Sequence, residues 1–154
     1  MCLAKAYGGG LPLGAFVAPE HIMKVIQADP ILGHITTFGG NPVSCAASLG
    51  VFKVLESSPE LMAEIPTKEQ HIRDVLVHPS IEKISGKGLM YCLWLKPQID
   101  SFALIARLEE EGLITNSFLF AENAIRITPP LTITNEELDK GLKLILRVIE
   151  ELSA

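Results

Sequence analysis

The stretch Ile81-Glu82-Lys83-Ile84-Ser85-Gly86-Lys87-Gly88-Leu89-Met90-Tyr91-Cys92-Leu93-Trp94-Leu95 decides the fold. Branched and aromatic residues flank a Gly-Lys-Gly centre, and glycine turns a chain where other residues are strained. The pattern predicts strands over 81–84 and 88–95, joined by a tight turn in which Lys87 is a solvated residue. Toward the C-terminus, residues 100–111 read as an amphipathic helix ended by Gly112, and 125–127 as a further strand. Thr134-Asn135-Glu136-Glu137 is a capping box that opens a last helix running to about residue 152. Toward the N-terminus, 59–77 is helical with Pro66 as an interruption. Asn41-Pro42 opens another helix over 42–57, with asparagine as the cap and proline in the first turn. The start of that helix is rich in small residues (Ser44, Cys45, Ala46, Ala47, Ser48), so other backbone can approach it closely. Before it, 20–28 reads as a helix with its apolar residues on one side, 14–19 as a short buried strand, and 7–12 and 29–40 as loops. Helix and strand alternate over a small sheet in the second half, which makes the fold class α/β.

The chain has 154 residues, of which 48% are hydrophobic and 20% charged. That is enough for one domain with a core and short for two. Mean hydropathy is +0.33, yet no apolar run reaches the roughly 18 residues of a membrane span. The surplus apolar surface is therefore expected to lie against another domain or subunit. The net charge is −5, and no cluster of Lys and Arg offers a surface for nucleic acid, so neither nucleic acid nor a membrane is expected as a partner. Cys2, Cys45 and Cys92 are odd in number and unrelated in spacing, which fits reduced thiols in a cytoplasmic protein. With His21, His34, His71 and His78 they form no ligand pattern, so no metal site is expected. Met1-Cys2-Leu3-Ala4-Lys5 has no features of a signal peptide and runs at once into Gly8-Gly9-Gly10, which reads as an internal position of a longer ancestral chain.

Three stretches carry possible chemistry. In Leu3-Ala4-Lys5-Ala6-Tyr7-Gly8-Gly9-Gly10-Leu11-Pro12-Leu13-Gly14-Ala15, the spacing fits neither the nucleotide P-loop nor the dinucleotide fingerprint. Lys5 is either a solvated surface lysine or an amine nucleophile. In His34-Ile35-Thr36-Thr37-Phe38-Gly39-Gly40-Asn41-Pro42, two hydroxyls and a helix N-terminus either bind an anion or only cap the helix. In Ala124-Ile125-Arg126-Ile127-Thr128-Pro129-Pro130-Leu131, Arg126 points either outward to solvent or inward to a carboxylate that its planar fork can grip with two bonds.

Taken in order, these stretches, with the Gly86–Gly88 turn and the Thr134 helix start, resemble the class III pyridoxal-phosphate-dependent aminotransferases of the ornithine and acetylornithine type, C-terminal portion only. The resemblance implies a short remnant of a large cofactor-binding domain over 1–40, a connecting helix over 41–58 and a C-terminal small domain over 59–154. That small domain is implied to hold a few-stranded, mostly antiparallel sheet with helices on one face. It implies Lys5 as the amine that condenses with pyridoxal 5′-phosphate and shuttles the substrate proton. Thr36 and Thr37 are implied to bind the cofactor phosphate, across a dimer interface, and Arg126 to hold a substrate carboxylate. The implied reaction moves an amino group from an ornithine-like amine to a 2-oxo acid. Family members are much longer. The portion absent here supplies a phosphate loop, a ring stacked on the cofactor and an acid paired with its ring nitrogen. The isolated chain is thus expected to bind cofactor weakly or not at all and to be inactive. A homo-oligomer or a complementary N-terminal chain is the expected partner. The alternative is an inactive fragment that serves only as a dimerisation or chain-complementation module. Position 85 is Ser where members often carry Arg.

Overall fold

The computed structural model describes residues 1–31, 33 and 35–153. Two compact units divide it, Met1–Pro59 and Glu60–Ala154.

In the first unit, β1 (Cys2–Leu3) pairs antiparallel with β2 (Ala15–Phe16), and one 3-10 turn over Lys5–Gly8 lies between them. Two four-residue helices, α1 (Glu20–Met23) and α2 (Val25–Ala28), precede the long α3 (Pro42–Ser57). The Asn41 side chain accepts from the backbone N–H groups of Val43 and Ser44 at 3.0 and 3.2 Å, with Pro42 in the first turn. This is the cap expected from the sequence. The small-residue start of α3 does admit close backbone. A β-carbon placed on Gly9 would lie 2.6 Å from the Ala47 carbonyl oxygen, and Gly9 has φ +60°. Tyr7 meets Phe52 edge-to-face with ring centroids 6.0 Å apart.

Two expectations fail here. The run 14–19 is not a buried strand. Its paired part is only Ala15–Phe16, and Phe16 is 56% exposed. A partner strand of two residues is too narrow to cover a phenylalanine ring. The stretch 20–28 is not one continuous helix. Lys24 keeps helical angles (φ −61°, ψ −25°), but the Gln27 N–H bonds the Lys24 carbonyl three residues back, and this tightens the second turn into a separate one. Nor are its apolar side chains gathered under cover, since Ile22 and Val25 are exposed.

The second unit holds a core. The helical stretch is interrupted beside Pro66, as expected: the short α4 (Glu60–Ala63) ends before Glu64, and α5 (Ile65–Val75) starts anew with Pro66 in its first turn. There follow β3 (Ile81–Lys87), β4 (Met90–Leu95), α6 (Ser101–Glu110), β5 (Ser117–Phe118), β6 (Ala121–Ile127) and α7 (Asn135–Ser153). The four strands form one fully antiparallel sheet in the order β3-β4-β6-β5. Tyr91 lies opposite Ile127 and Leu93 opposite Ile125. These residues and Leu95 are buried in one cluster with Ile72 of α5, Leu104 and Leu108 of α6, and Leu138, Leu142, Ile145, Val148 and Ile149 of α7. The period of two along each strand sends the alternate residues Cys92, Trp94 and Arg126 to the other face of the sheet.

The β3–β4 turn is Gly88–Leu89; Gly86 and Lys87, expected in the turn, instead continue β3 opposite Tyr91 and Met90, because the ladder pairs to the very end of the hairpin. This hairpin end is held from α5. Glu69 accepts the Gly88 N–H at 2.9 Å, and Arg73 donates to the Gly86 carbonyl at 3.0 Å. Thr134 and Glu137 close the expected capping box. The Glu137 N–H donates to the Thr134 hydroxyl oxygen at 3.1 Å, and the Thr134 N–H donates to the Glu137 carboxylate at 3.0 Å.

Candidate functional site

Lys5 opens the 3-10 turn with φ +62°, a left-handed backbone conformation that non-glycine residues rarely adopt. It is exposed, and among the described residues its ammonium has no ion-pair or hydrogen-bond partner. The turn is closed by Gly9 N–H donating to the Ala6 carbonyl at 3.0 Å, and the close approach of Gly9 to Ala47 seats it on α3.

Thr36 and Thr37 lie in the same unit, on the approach to α3, and both are exposed. His34, at the head of that stretch, lies outside the described residues. A β-carbon on Gly39 would collide with the Thr36 hydroxyl, so glycine is what lets that hydroxyl lie against the turn. Gly40 follows with φ +69°. Among the described residues neither threonine hydroxyl has a hydrogen-bond partner. The capping work at α3 falls to the Asn41 side chain, which leaves both hydroxyls free as donors.

Arg126 belongs to the second unit. It lies opposite Cys92 in the sheet register and is half-buried. Of the two directions open to it from sequence, neither a fully solvated nor a carboxylate-paired side chain is found. Its guanidinium carbon sits over the Phe118 ring, 4.9 Å from the centroid. Its Nε is buried with no hydrogen-bond partner. Its backbone N–H donates to the Asn116 carbonyl at 2.7 Å, and its carbonyl accepts from the Thr115 hydroxyl. A concavity of about 450 Å³ adjoins it, lined in part by Thr115, Asn116, Pro129, Glu137 and Lys140.

The same sheet face carries other polar groups. The Lys83 ammonium lies over the Trp94 ring at 4.6 Å, and the Trp94 indole N–H donates to the Ser85 hydroxyl at 2.9 Å. Burial pushes the Cys92 thiol above its ordinary pKa, against the opposing pull of Ser85 and Lys83. A raised pKa disfavours the thiolate, so Cys92 is poorly suited to act as a nucleophile. Among the described residues no group of three His, Cys, Asp or Glu side chains could hold a metal ion, and no helix is long and apolar enough to cross a membrane.

Sequence reading does not single out Phe118. Its signal is slight: an aromatic in Ser117-Phe118-Leu119-Phe120, ahead of the polar Glu122-Asn123 pair.

The profile of the family described as aminotransferase class-III matches residues 1–149. The chain is 34% identical over 151 residues to the acetylornithine aminotransferase of Haemophilus ducreyi, covering 97% of this chain and 36% of that protein. It is also 34% identical, over 160 residues, to the mitochondrial acetylornithine aminotransferase of Debaryomyces hansenii, covering 99% of this chain and 33% of the relative. Among solved structures, the ornithine aminotransferase of Toxoplasma gondii superposes with a TM-score of 0.84 at 28% identity, covering 99% of this chain and 38% of that one. That structure was determined with partial occupancy of pyridoxal phosphate at its active site. The chain thus spans about a third of the length of these curated relatives.

Proposed function

Because this chain belongs to the class III aminotransferases, which depend on pyridoxal phosphate, we infer that it supplies part of a site that moves an amino group from an ornithine-like amine to a 2-oxo acid. The observation that carries the reading is the backbone of Lys5. A left-handed lysine costs roughly 1–2 kcal/mol, and conformations of this kind gather at functional sites. Its amine is unpaired on a glycine-bounded turn.

The residues present fit the cofactor in kind: one free amine, two unpartnered hydroxyls beside a helix start, and a guanidinium with no carboxylate of its own. Pyridoxal phosphate, when bound, supplies an aldehyde that condenses with amines and a ring that draws electrons from the carbon losing its proton. Lys5 Nζ is the group that takes that proton and returns it. Thr36 and Thr37 donate to phosphate oxygens, in the site of a partner subunit. Arg126 grips the substrate carboxylate and so orients the reacting amine. On this reading residues 1–40 are a remnant of the cofactor domain, 41–58 the connecting helix and 59–154 the small domain. The remaining walls of the site come from polypeptide beyond this sequence, and the chain alone is inactive. The place of work is the cytoplasm, although one relative bears a mitochondrial name.

A second reading, a module that acts only by associating with another chain, is favoured by α3. Val43, Leu49, Phe52 and Val54 are each at least half exposed on this one helix, and an apolar helix left uncovered marks a binding surface.

One experiment separates the two. Pyridoxal phosphate is added to the chain, absorption is recorded, borohydride is added, and the labelled peptide is located by mass. The enzyme reading expects a chromophore fixed to Lys5 and absent from Lys5→Ala. A chromophore spread over surface lysines contradicts it, and none at millimolar cofactor counts against activity by this chain alone. Concentration-dependent self-association by sedimentation, without cofactor capture, selects the module reading.

A further inference from the structure

We propose that Phe118 is a positioning residue for Arg126. Its ring holds the guanidinium in one plane on the face of the sheet opposite the core cluster, so that the fork offered to a carboxylate has a fixed direction. The proposal rests on the reading of Arg126 as the carboxylate-binding group.

A guanidinium in a binding site must be held still without having its donors consumed. An acidic neighbour would hold it, but would occupy the same N–H groups that a substrate carboxylate uses. An aromatic face attracts the cation through its quadrupole and takes none of those bonds. Arg126 has this arrangement. Among the described residues no carboxylate pairs with it, its Nε is buried without an acceptor, and its cation lies 4.9 Å from the Phe118 ring centre.

The backbone is anchored from the same short segment. Asn116 receives the Arg126 N–H, Thr115 donates to its carbonyl, and Phe118 follows two residues later. Residues 115–118 thus hold both ends of the arginine. The strand pairing also departs from regularity at the residue that matters. Ser117 lies opposite Ile125, so a regular ladder would put Phe118 opposite Ala124; instead the register shifts between Ser117 and Phe118, and Phe118 lies opposite Ala121. Such irregularities re-aim a side chain.

If Phe118 only covered apolar surface, leucine would serve as well. The test uses the whole 154-residue chain, labelled with nitrogen-15, and follows the Arg126 Nε–Hε signal by NMR, assigned from its loss in Arg126→Lys. In the unmodified chain the signal is expected upfield of free arginine through the ring current of Phe118, and its absence there overturns the proposal without any variant. Titration with 2-oxoglutarate is expected to move the signal saturably. Phe118→Leu is expected to abolish the upfield displacement and weaken binding roughly fivefold, the size of one cation–π contact. Phe118→Trp is expected to restore both, with the amide signals of Leu93 and Val148 unchanged. A Phe118→Leu chain that binds as tightly as the unmodified one sinks the role of Phe118 and leaves Arg126 standing. An Arg126 signal indifferent to 2-oxoglutarate in the unmodified chain sinks both.

Discussion

The carboxylate of Glu69 accepts the backbone N–H of Gly88 at 2.9 Å, tying a helix to a turn 19 residues away. Arg73, one helical turn on, donates to the Gly86 carbonyl at 3.0 Å and lies over the Tyr91 ring at 5.0 Å from its centre. The Tyr91 hydroxyl is buried without a partner of standard geometry, and burial followed by the nearby Glu69 carboxylate raises its pKa.

This arrangement makes stability depend on acid. The Gly88 N–H, then Tyr91 and Arg73, hold the Glu69 carboxyl below its ordinary range. A carboxyl that titrates lower when folded stabilises fully above its unfolded pKa, about 4.3, and loses that contribution as pH falls through the folded value. The difference in urea midpoint between the unmodified chain and Glu69→Gln is therefore expected to be constant from neutral pH to about 5 and to shrink below it. A difference that widens on acidification contradicts the assignment.

Two glycines at positive φ should respond differently to alanine. Gly112 (φ +86°) has open space where a β-carbon would go, so Gly112→Ala carries backbone strain alone, about 1 kcal/mol. At Gly86 (φ +146°) the added carbon would collide with the Met90 carbonyl oxygen and come within 2.8 Å of the Tyr91 α-carbon, both rigid backbone. Gly86→Ala is expected to cost roughly 3 kcal/mol or more, read from urea unfolding of both variants. Equal losses would show that the hairpin yields.

Leu93 is fully buried at the centre of the sheet, among side chains of the core cluster. Leu93→Ala removes that volume and is expected to cost about 3 kcal/mol, within the range for buried leucines. Amide exchange should accelerate at Leu104, Leu142 and Val148, which share the cluster. Protection unchanged at those three amides would refute a common core.

Several features were legible because their causes are local. The capping box at Thr134 and Glu137 spans four residues, and the Asn41-Pro42 start of α3 spans two. Gly86 and Gly88 announce a turn from composition alone, although Gly86 and Lys87 stay paired in β3 and the turn proper is Gly88–Leu89. What the sequence hides is non-local. Glu69 and Arg73 are an ordinary helical pair on paper, and nothing in their spacing says that they hold the end of the β3–β4 hairpin at Gly86 and Gly88. The strand over 121–127 is shorter as expected, at 125–127, because Glu122 and Asn123 weaken its apolar pattern, although Asn123 earns its place by donating to the Leu95 carbonyl at 3.2 Å. Phe16 misleads in the opposite sense, since its apolar run reads as buried and the ring is open. For the candidate site, Lys5, Thr36, Thr37 and Arg126 stand out by their company in the sequence. Phe118 does not, because its contact with Arg126 comes from a register shift that only the folded sheet reveals.

Alternation along β6 has a bearing on misfolding. Arg126 stands between Ile125 and Ile127, which are both sealed in the interior. Aiming the charge and sealing the oil are therefore set by a single coordinate. A pairing slip of one residue would exchange the two sets together, driving a cation inward and two isoleucines out. A chain slipped in this way would therefore lose its packed core together with the direction of its arginine.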